Sequence, residues 1–142
     1  MVKVLATGTF DILHPGHLLY LSEAKKLGDE LYVIVARDVN VLHKPKPILP
    51  EEQRLEMVRS LRIVDHAVLG DREDKWKPVR EIKPDIIAIG YDQHFDIKEL
   101  EMELFREGLD LKVVRIEQSN SCPLCSSRAI INRILRLKGG EK

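Results

Sequence analysis

Short apolar runs alternate with helical patterns along almost the whole chain. The runs occupy residues 2–6, 30–36, 66–69, 85–89 and 111–116, and several are rich in Val and Ile. Between the first two, Leu18, Leu21, Ala24 and Leu27 recur at helical spacing, with Gly28 as a stop signal. Pro50 before Glu51 and Glu52 suits the first turn of a second helix with an inner face of Leu55, Val58 and Leu61. A third, shorter helix is expected near residues 78–82. Asp96 with Glu99 resembles a capping box for a fourth, which would turn Ile97, Leu100, Leu104 and Phe105 inward and end at Gly108. The last helix should start at Ser126 or Ser127 and bury Ile130, Ile131, Ile134 and Leu135.

Five near-continuous apolar strands separated by helices predict an α/β fold: a single Rossmann-like domain over residues 1–142, with a five-stranded parallel sheet and helices on both faces. Ligands of such sheets bind outside the carboxyl ends of the strands. The two longest non-periodic stretches, 37–49 and 117–125, follow the second and fifth strands and are candidate site loops.

Composition narrows the function. With 142 residues, one domain is expected, and 23 basic against 23 acidic residues give no global field of the kind that binds nucleic acid. No apolar run is long enough to span a bilayer and no signal-peptide pattern is seen, so a cytoplasmic protein without a membrane partner is expected. Both cysteines lie in Cys122-Pro123-Leu124-Cys125, unlike the dispersed framework of a small secreted domain.

The chemistry concentrates after the first strand, in Gly8-Thr9-Phe10-Asp11-Ile12-Leu13-His14-Pro15-Gly16-His17. A glycine allows close backbone approach, a helix start attracts anions, and imidazole N–H groups can donate to a phosphoryl oxygen. Neither G-x-G-x-x-G nor G-x-x-x-x-G-K-[ST] occurs, which removes the dinucleotide and Walker sites. The ten-residue pattern G-T-F-D-x-x-H-x-G-H resembles the signature of the nucleotidyltransferase superfamily that includes the cytidylyltransferases and the archaeal FAD synthases. Over nearly the whole chain the likeness holds. Lys44 and Lys46 stand where that family has its mobile-loop lysines, and Arg54 opens the following helix. Gly90-Tyr91-Asp92-Gln93 looks like its nucleotide-binding turn, and Ser126-Ser127-Arg128 like its serine-rich helix start.

The resemblance implies transfer of a nucleoside monophosphate from a triphosphate to a phosphate-bearing acceptor, with release of pyrophosphate. His14, His17, Arg128 and one of Lys44 and Lys46 are then the catalytic candidates. Thr9, Phe10, Pro15, Gly16, Lys46, Asp92, Ser126 and Ser127, with the two histidines, would bind the nucleotide. A divalent cation, Mg²⁺, is expected mainly on the triphosphate, with no protein metal site; Asp11 either reaches it through water or braces the loop. Ser126 and Ser127 would also cap their helix in any protein. His43, His66 and His94 read as surface histidines. Arg37 and Asp38 either pair with each other or shape the loop.

Before the last helix, cytidylyltransferases of this size carry an R-T-x-G-I-S segment. This chain has Ser119-Asn120-Ser121-Cys122-Pro123-Leu124-Cys125-Ser126-Ser127, then Arg128 in place of threonine and Ile131 in place of arginine. That departure, with Gly-Tyr-Asp-Gln and the Cys-x-x-Cys, most resembles the archaeal FAD synthases and implies ATP and FMN as substrates. CTP with glycerol-3-phosphate is the alternative within the same chemistry, and a non-catalytic nucleotide-binding or redox-responsive module is the alternative of another class. Cys122 and Cys125 could form a reversible disulfide that reshapes the phosphate-binding helix start. A homodimer is implied by the resemblance, with no interface legible in the sequence.

Overall fold

The computed structural model describes residues 1–42, 46–91, 93–119 and 122–139. Strands β1 (Lys3–Gly8), β2 (Glu30–Val35), β3 (His66–Leu69), β4 (Ile86–Ile89) and β5 (Lys112–Arg115) alternate with helices α1 (Pro15–Lys25), α2 (Glu51–Arg59), α3 (Lys77–Ile82), α4 (Ile97–Arg106) and α5 (Ser127–Lys138). All four strand pairings are parallel, in the order β3-β2-β1-β4-β5. The winding therefore reverses between β1 and β4, and the crevice at their carboxyl ends is where such sheets take ligands.

Alternation along the strands divides the core in two. Val4 and Ala6 of β1, with Leu31, Val33 and Val35 of β2, face Leu21 and Ala24 of α1 and Val58 of α2. Leu5, Ile34, Ile87, Ile89 and Val113 face Val79 of α3 and Leu104 of α4. Because the side-chain period of a strand is two, apolar residues at both parities require cover on both faces, as found here.

Strand β1 begins one residue later and ends two residues later than the apolar run. Val2 is instead tied to the residue before β2, its N–H donating to Asp29 Oδ2 (2.7 Å), while pairing with Ile34 and Val35 draws Thr7 and Gly8 into the strand. Next to it, Asp65 accepts from Leu31 N (2.7 Å) and Lys25 Nζ (2.5 Å). Partial burial alone would raise its pKa, but the Lys25 and Leu31 hydrogen bonds outweigh this and hold the carboxyl below its ordinary value.

The caps of α4 and α5 follow the sequence. Asp96 accepts from Glu99 N (3.1 Å), Ser126 accepts from Ala129 N (3.1 Å), and Gly108 takes a φ of +81° beyond α4. Two burial expectations fail. Phe105 is 70% exposed rather than turned inward, because Leu104 takes the core-facing position of that turn. On α5 no residue is buried, and Ile134 and Leu135 are 51% and 61% exposed. No layer of the described residues buries its apolar stripe.

Candidate active site

Phe10 enters the loop after β1 in a left-handed conformation, φ +53°, unusual for a residue with a Cβ. Burial of its ring, 2% exposed and 5.3 Å from the His17 ring, holds it there. The chain then turns so that His14 caps α1 and Pro15 occupies its first turn. Gly16 N donates to His14 Nδ1 (3.0 Å), which assigns the proton of a neutral His14 to Nε2. The rings of His14 and His17 stack with centroids 3.8 Å apart. Both histidines are half-buried at the N-terminal end of a helix dipole, which favours negative charge there.

Pro15 and Gly16 therefore contribute through shape. A proline has no N–H, and the Gly16 N–H is engaged by His14. A Cβ at Gly16 would lie 2.7 Å from the Cys125 carbonyl oxygen and 2.8 Å from His14 Cε1, so only glycine lets the two segments touch. This contact joins the N-terminal ends of α1 and α5. It sets Ser126, Ser127 and Arg128 beside the histidine loop, with Ser126 as N-cap and Arg128 exposed. Cys122 and Cys125 are joined as a disulfide, Cα–Cα 5.5 Å, in the turn leading to that contact.

The third wall is held by Arg54, fully buried on α2. Its Nε donates to Leu49 O (3.0 Å), Nη1 to Thr9 O (2.7 Å) and Ala36 O (2.8 Å), and Nη2 to Asp38 Oδ1 (2.6 Å). One guanidinium thus ties the loop after β1 to the loop after β2. Arg37 and Asp38 do not pair with each other: Arg37 pairs with Glu51 (2.8 Å) and Asp38 with Arg54. Lys46 donates to Asp38 O (3.0 Å) and stays exposed. Lys44 and Asp92 lie outside the described residues.

Of the two roles open to Asp11, the structure supports bracing, since its oxygens accept from Ile48 N (2.8 Å) and Leu49 N (2.9 Å). Among the described residues no group of three or more His, Cys, Asp or Glu could hold a metal. Outside this centre, His66 stacks on Tyr32 (4.6 Å) and His94 is exposed, both as surface residues. No helix among the described residues is long and apolar enough to cross a membrane.

Four supporting residues carry no sequence signal of their role. Besides Arg54, Tyr20 donates its hydroxyl to Ala88 O (2.7 Å) and accepts from Thr7 N (3.1 Å), joining β1 to β4 beneath the loop. Gln93 accepts from Gly90 N (2.6 Å) and donates to Thr7 O (3.2 Å). Arg115, at the end of β5, donates to Gln93 O (2.6 Å) and to Phe95 O. Most of their partners are backbone groups on other elements; the only hints were the positions of Gln93 in the turn after β4 and of Arg54 at the start of α2.

A stacked histidine pair thus sits where two helix N-termini meet, at the switch point of a 3-2-1-4-5 sheet. The chain belongs to the cytidylyltransferase-like family, whose model matches residues 5–133. It is 62% identical to the FAD synthase of Methanosarcina acetivorans, covering 98% of this chain and 92% of that one. It is 61% identical to the FAD synthase of Methanohalophilus mahii, covering 99% of each. Among solved structures, the lipopolysaccharide core biosynthesis protein of Thermoplasma volcanium superposes with a TM-score of 0.81. That protein is 49% identical, and the match covers 85% of this chain and 99% of that one.

Proposed function

We propose that this protein is an FMN adenylyltransferase, transferring AMP from ATP to the phosphate of FMN to give FAD and pyrophosphate. The observation that carries the reading is full-length identity above 60% to FAD synthases in a chain that keeps the complete histidine loop. An oxygen of the FMN phosphate attacks the α-phosphorus of ATP in line, and the bond from that phosphorus to the bridging oxygen breaks. Pyrophosphate leaves with the electron pair. The acceptor phosphate has its second pKa near 6, so it is largely dianionic at neutral pH and needs no general base.

Catalysis on this reading is positioning and charge neutralisation. His14 donates from Nε2, with Nδ1 held by Gly16 N (3.0 Å), and His17 donates beside it to oxygens of the α-phosphate as the five-coordinate state forms. Arg128, Ser126 and Ser127 receive the leaving pyrophosphate at the α5 terminus. Lys44 or Lys46 closes over the phosphates as a mobile point charge, and Lys46 donates to a carbonyl, that of Asp38. Asp92 contacts the ribose or base. Mg²⁺ arrives on the triphosphate and supplies further charge neutralisation there. We extend the reading to a cytoplasmic homodimer, because the exposed Ile134, Leu135 and Leu137 of α5 suit burial against a second copy.

The test is to incubate reduced protein with ATP or CTP, Mg²⁺, and FMN or glycerol-3-phosphate, identifying products by mass. FAD formed only from ATP and FMN supports the reading. CDP-glycerol, or no pyrophosphate from any pair, rejects it.

A further inference from the structure

Helices α1–α4 each bury at least one residue, whereas α5 buries none. Ile130, Ile131, Ile134, Leu135 and Leu137 recur at helical spacing along one face, and the last three are 51%, 61% and 54% exposed. Arg128, Arg133, Arg136 and Lys138 give the same helix four cations and no carboxylate. The segment 97–110, α4 and the turn after it, is the converse, with Glu99, Glu101, Glu103, Glu107 and Asp110 against Lys98 and Arg106. Here Met102 and Phe105 stand 57% and 70% exposed, and with Leu109 and Leu111 they line a groove of about 510 Å³. Lys98, Glu101, Arg106 and Asp110 form its polar rim. Glu103 and Glu107 are partnered by Lys75 (3.2 Å) and Arg80 (3.3 Å), and Glu101 accepts from Val113 N (3.1 Å). Among the described residues, Glu99 and Asp110 on this side and Arg133 on α5 make no ion pair.

An apolar stripe set among cations and an apolar groove set among carboxylates are complementary. We propose that α5 of each copy lies in the α4 groove of a second copy, an isologous contact made twice about a two-fold axis. Pairing of α5 with α5 is disfavoured, because it would set four cations against four. The lengths agree, since the 12 residues of α5 span about 18 Å and the 10 of α4 about 15 Å. The docking has a chemical consequence. Ser126, Ser127 and Arg128 open α5 and are set beside the histidine loop by the approach of Cys125 O to Gly16, while residues 132–138 are exposed throughout. A second copy that grips the exposed part steadies the end that receives pyrophosphate. That consequence rests on the nucleotidyl-transfer reading above; the docking itself does not.

The test uses the full chain and two charge-reversed forms, each checked for fold by circular dichroism. One carries Arg133→Glu with Lys138→Glu on α5, the other Glu99→Lys with Asp110→Lys beside the groove. Sedimentation equilibrium should show the wild type as a dimer. Each form alone meets like charge in both contacts, so its self-association should weaken at least about tenfold. Mixed, the two forms present opposite charges in both contacts, and a heterodimer of near wild-type affinity should form. KM for ATP should rise about fivefold in either form alone and return to the wild-type value in the mixture. A monomeric wild type, undiminished homodimers of either form, or a mixture without heterodimer would overturn the docking. Loss and recovery of the dimer with KM for ATP unmoved would overturn the steadying of α5. No FAD from the wild type would refute the substrate reading, and the mass measurements would still decide the docking.

Discussion

Gly16→Ala is a one-carbon change whose consequences can be worked from the contacts. The added Cβ would sit 2.7 Å from the Cys125 carbonyl oxygen and 2.8 and 2.9 Å from Cε1 and Nδ1 of His14, where ordinary contact begins at 3.4 Å. To relieve both clashes the His14 ring must swing away, giving up its bond from Gly16 N (3.0 Å), and the start of α5 must retreat by about 0.7 Å. Both movements separate the histidines from Ser126–Arg128. Overpacking of this kind costs about 1–3 kcal/mol, which lowers Tm by roughly 3–10 °C in a domain of this size. Catalysis should suffer more, because a displacement approaching 1 Å in an aligned site costs up to about 10²-fold. We therefore expect kcat for FAD formation to fall about 10–10²-fold in a variant still folded at 25 °C, measured by chromatographic FAD assay beside thermal melting. A Gly16→Ala enzyme within twofold of wild type in kcat would refute the claim that the α1–α5 contact sets the centre.

Arg54→Lys removes the fork that serves Thr9, Ala36, Leu49 and Asp38 together; with a buried network broken by about 3–5 kcal/mol, Tm should drop by more than roughly 10 °C, and a change under about 2 °C would contradict the bracing role. Asp65→Asn probes a carboxyl whose folded pKa lies below its unfolded value, so its contribution exists above about pH 4 and is lost as pH falls through the folded pKa. Melting curves should show Asp65→Asn a few degrees less stable than wild type at pH 7, the gap closing as pH falls through the folded pKa; a gap independent of pH would contradict this. Reduction of the Cys122–Cys125 bond should change kcat, because Cys125 carries the carbonyl against Gly16, and a Cys122→Ser, Cys125→Ser double variant should respond to neither oxidant nor reductant. Activity unchanged by reduction, oxidation and replacement would dispose of the redox device.

The five parallel strands and their cover on both faces were legible because the apolar runs alternate with helical spacing, and β3 falls on residues 66–69 as expected; the order of the strands was not, since only their pairing sets it. The histidine loop was legible because it is contiguous. Arg54 was not, since its four acceptors come from residues 9, 36, 38 and 49, which only the β1–β2 pairing gathers. The roles of Gln93 and Arg115 were missed for the same reason: each serves backbone groups, which leave no residue-type signal. The α5 error has another cause. An amphipathic pattern at residues 130–135 predicts that a face will be covered, and says nothing about whether the same chain covers it.

On the proposed reading, the stacked His14–His17 pair drives AMP transfer to FMN by donating to the phosphate oxygens. The most direct measurement is the rate of FAD formation from ATP and FMN by His17→Ala beside wild type, with circular dichroism confirming the fold. We expect the wild type to form FAD with one pyrophosphate per turnover, and the variant to lose about 10²–10³-fold in kcat while its KM for FMN changes little. FAD formation at the wild-type rate by His17→Ala would contradict the account.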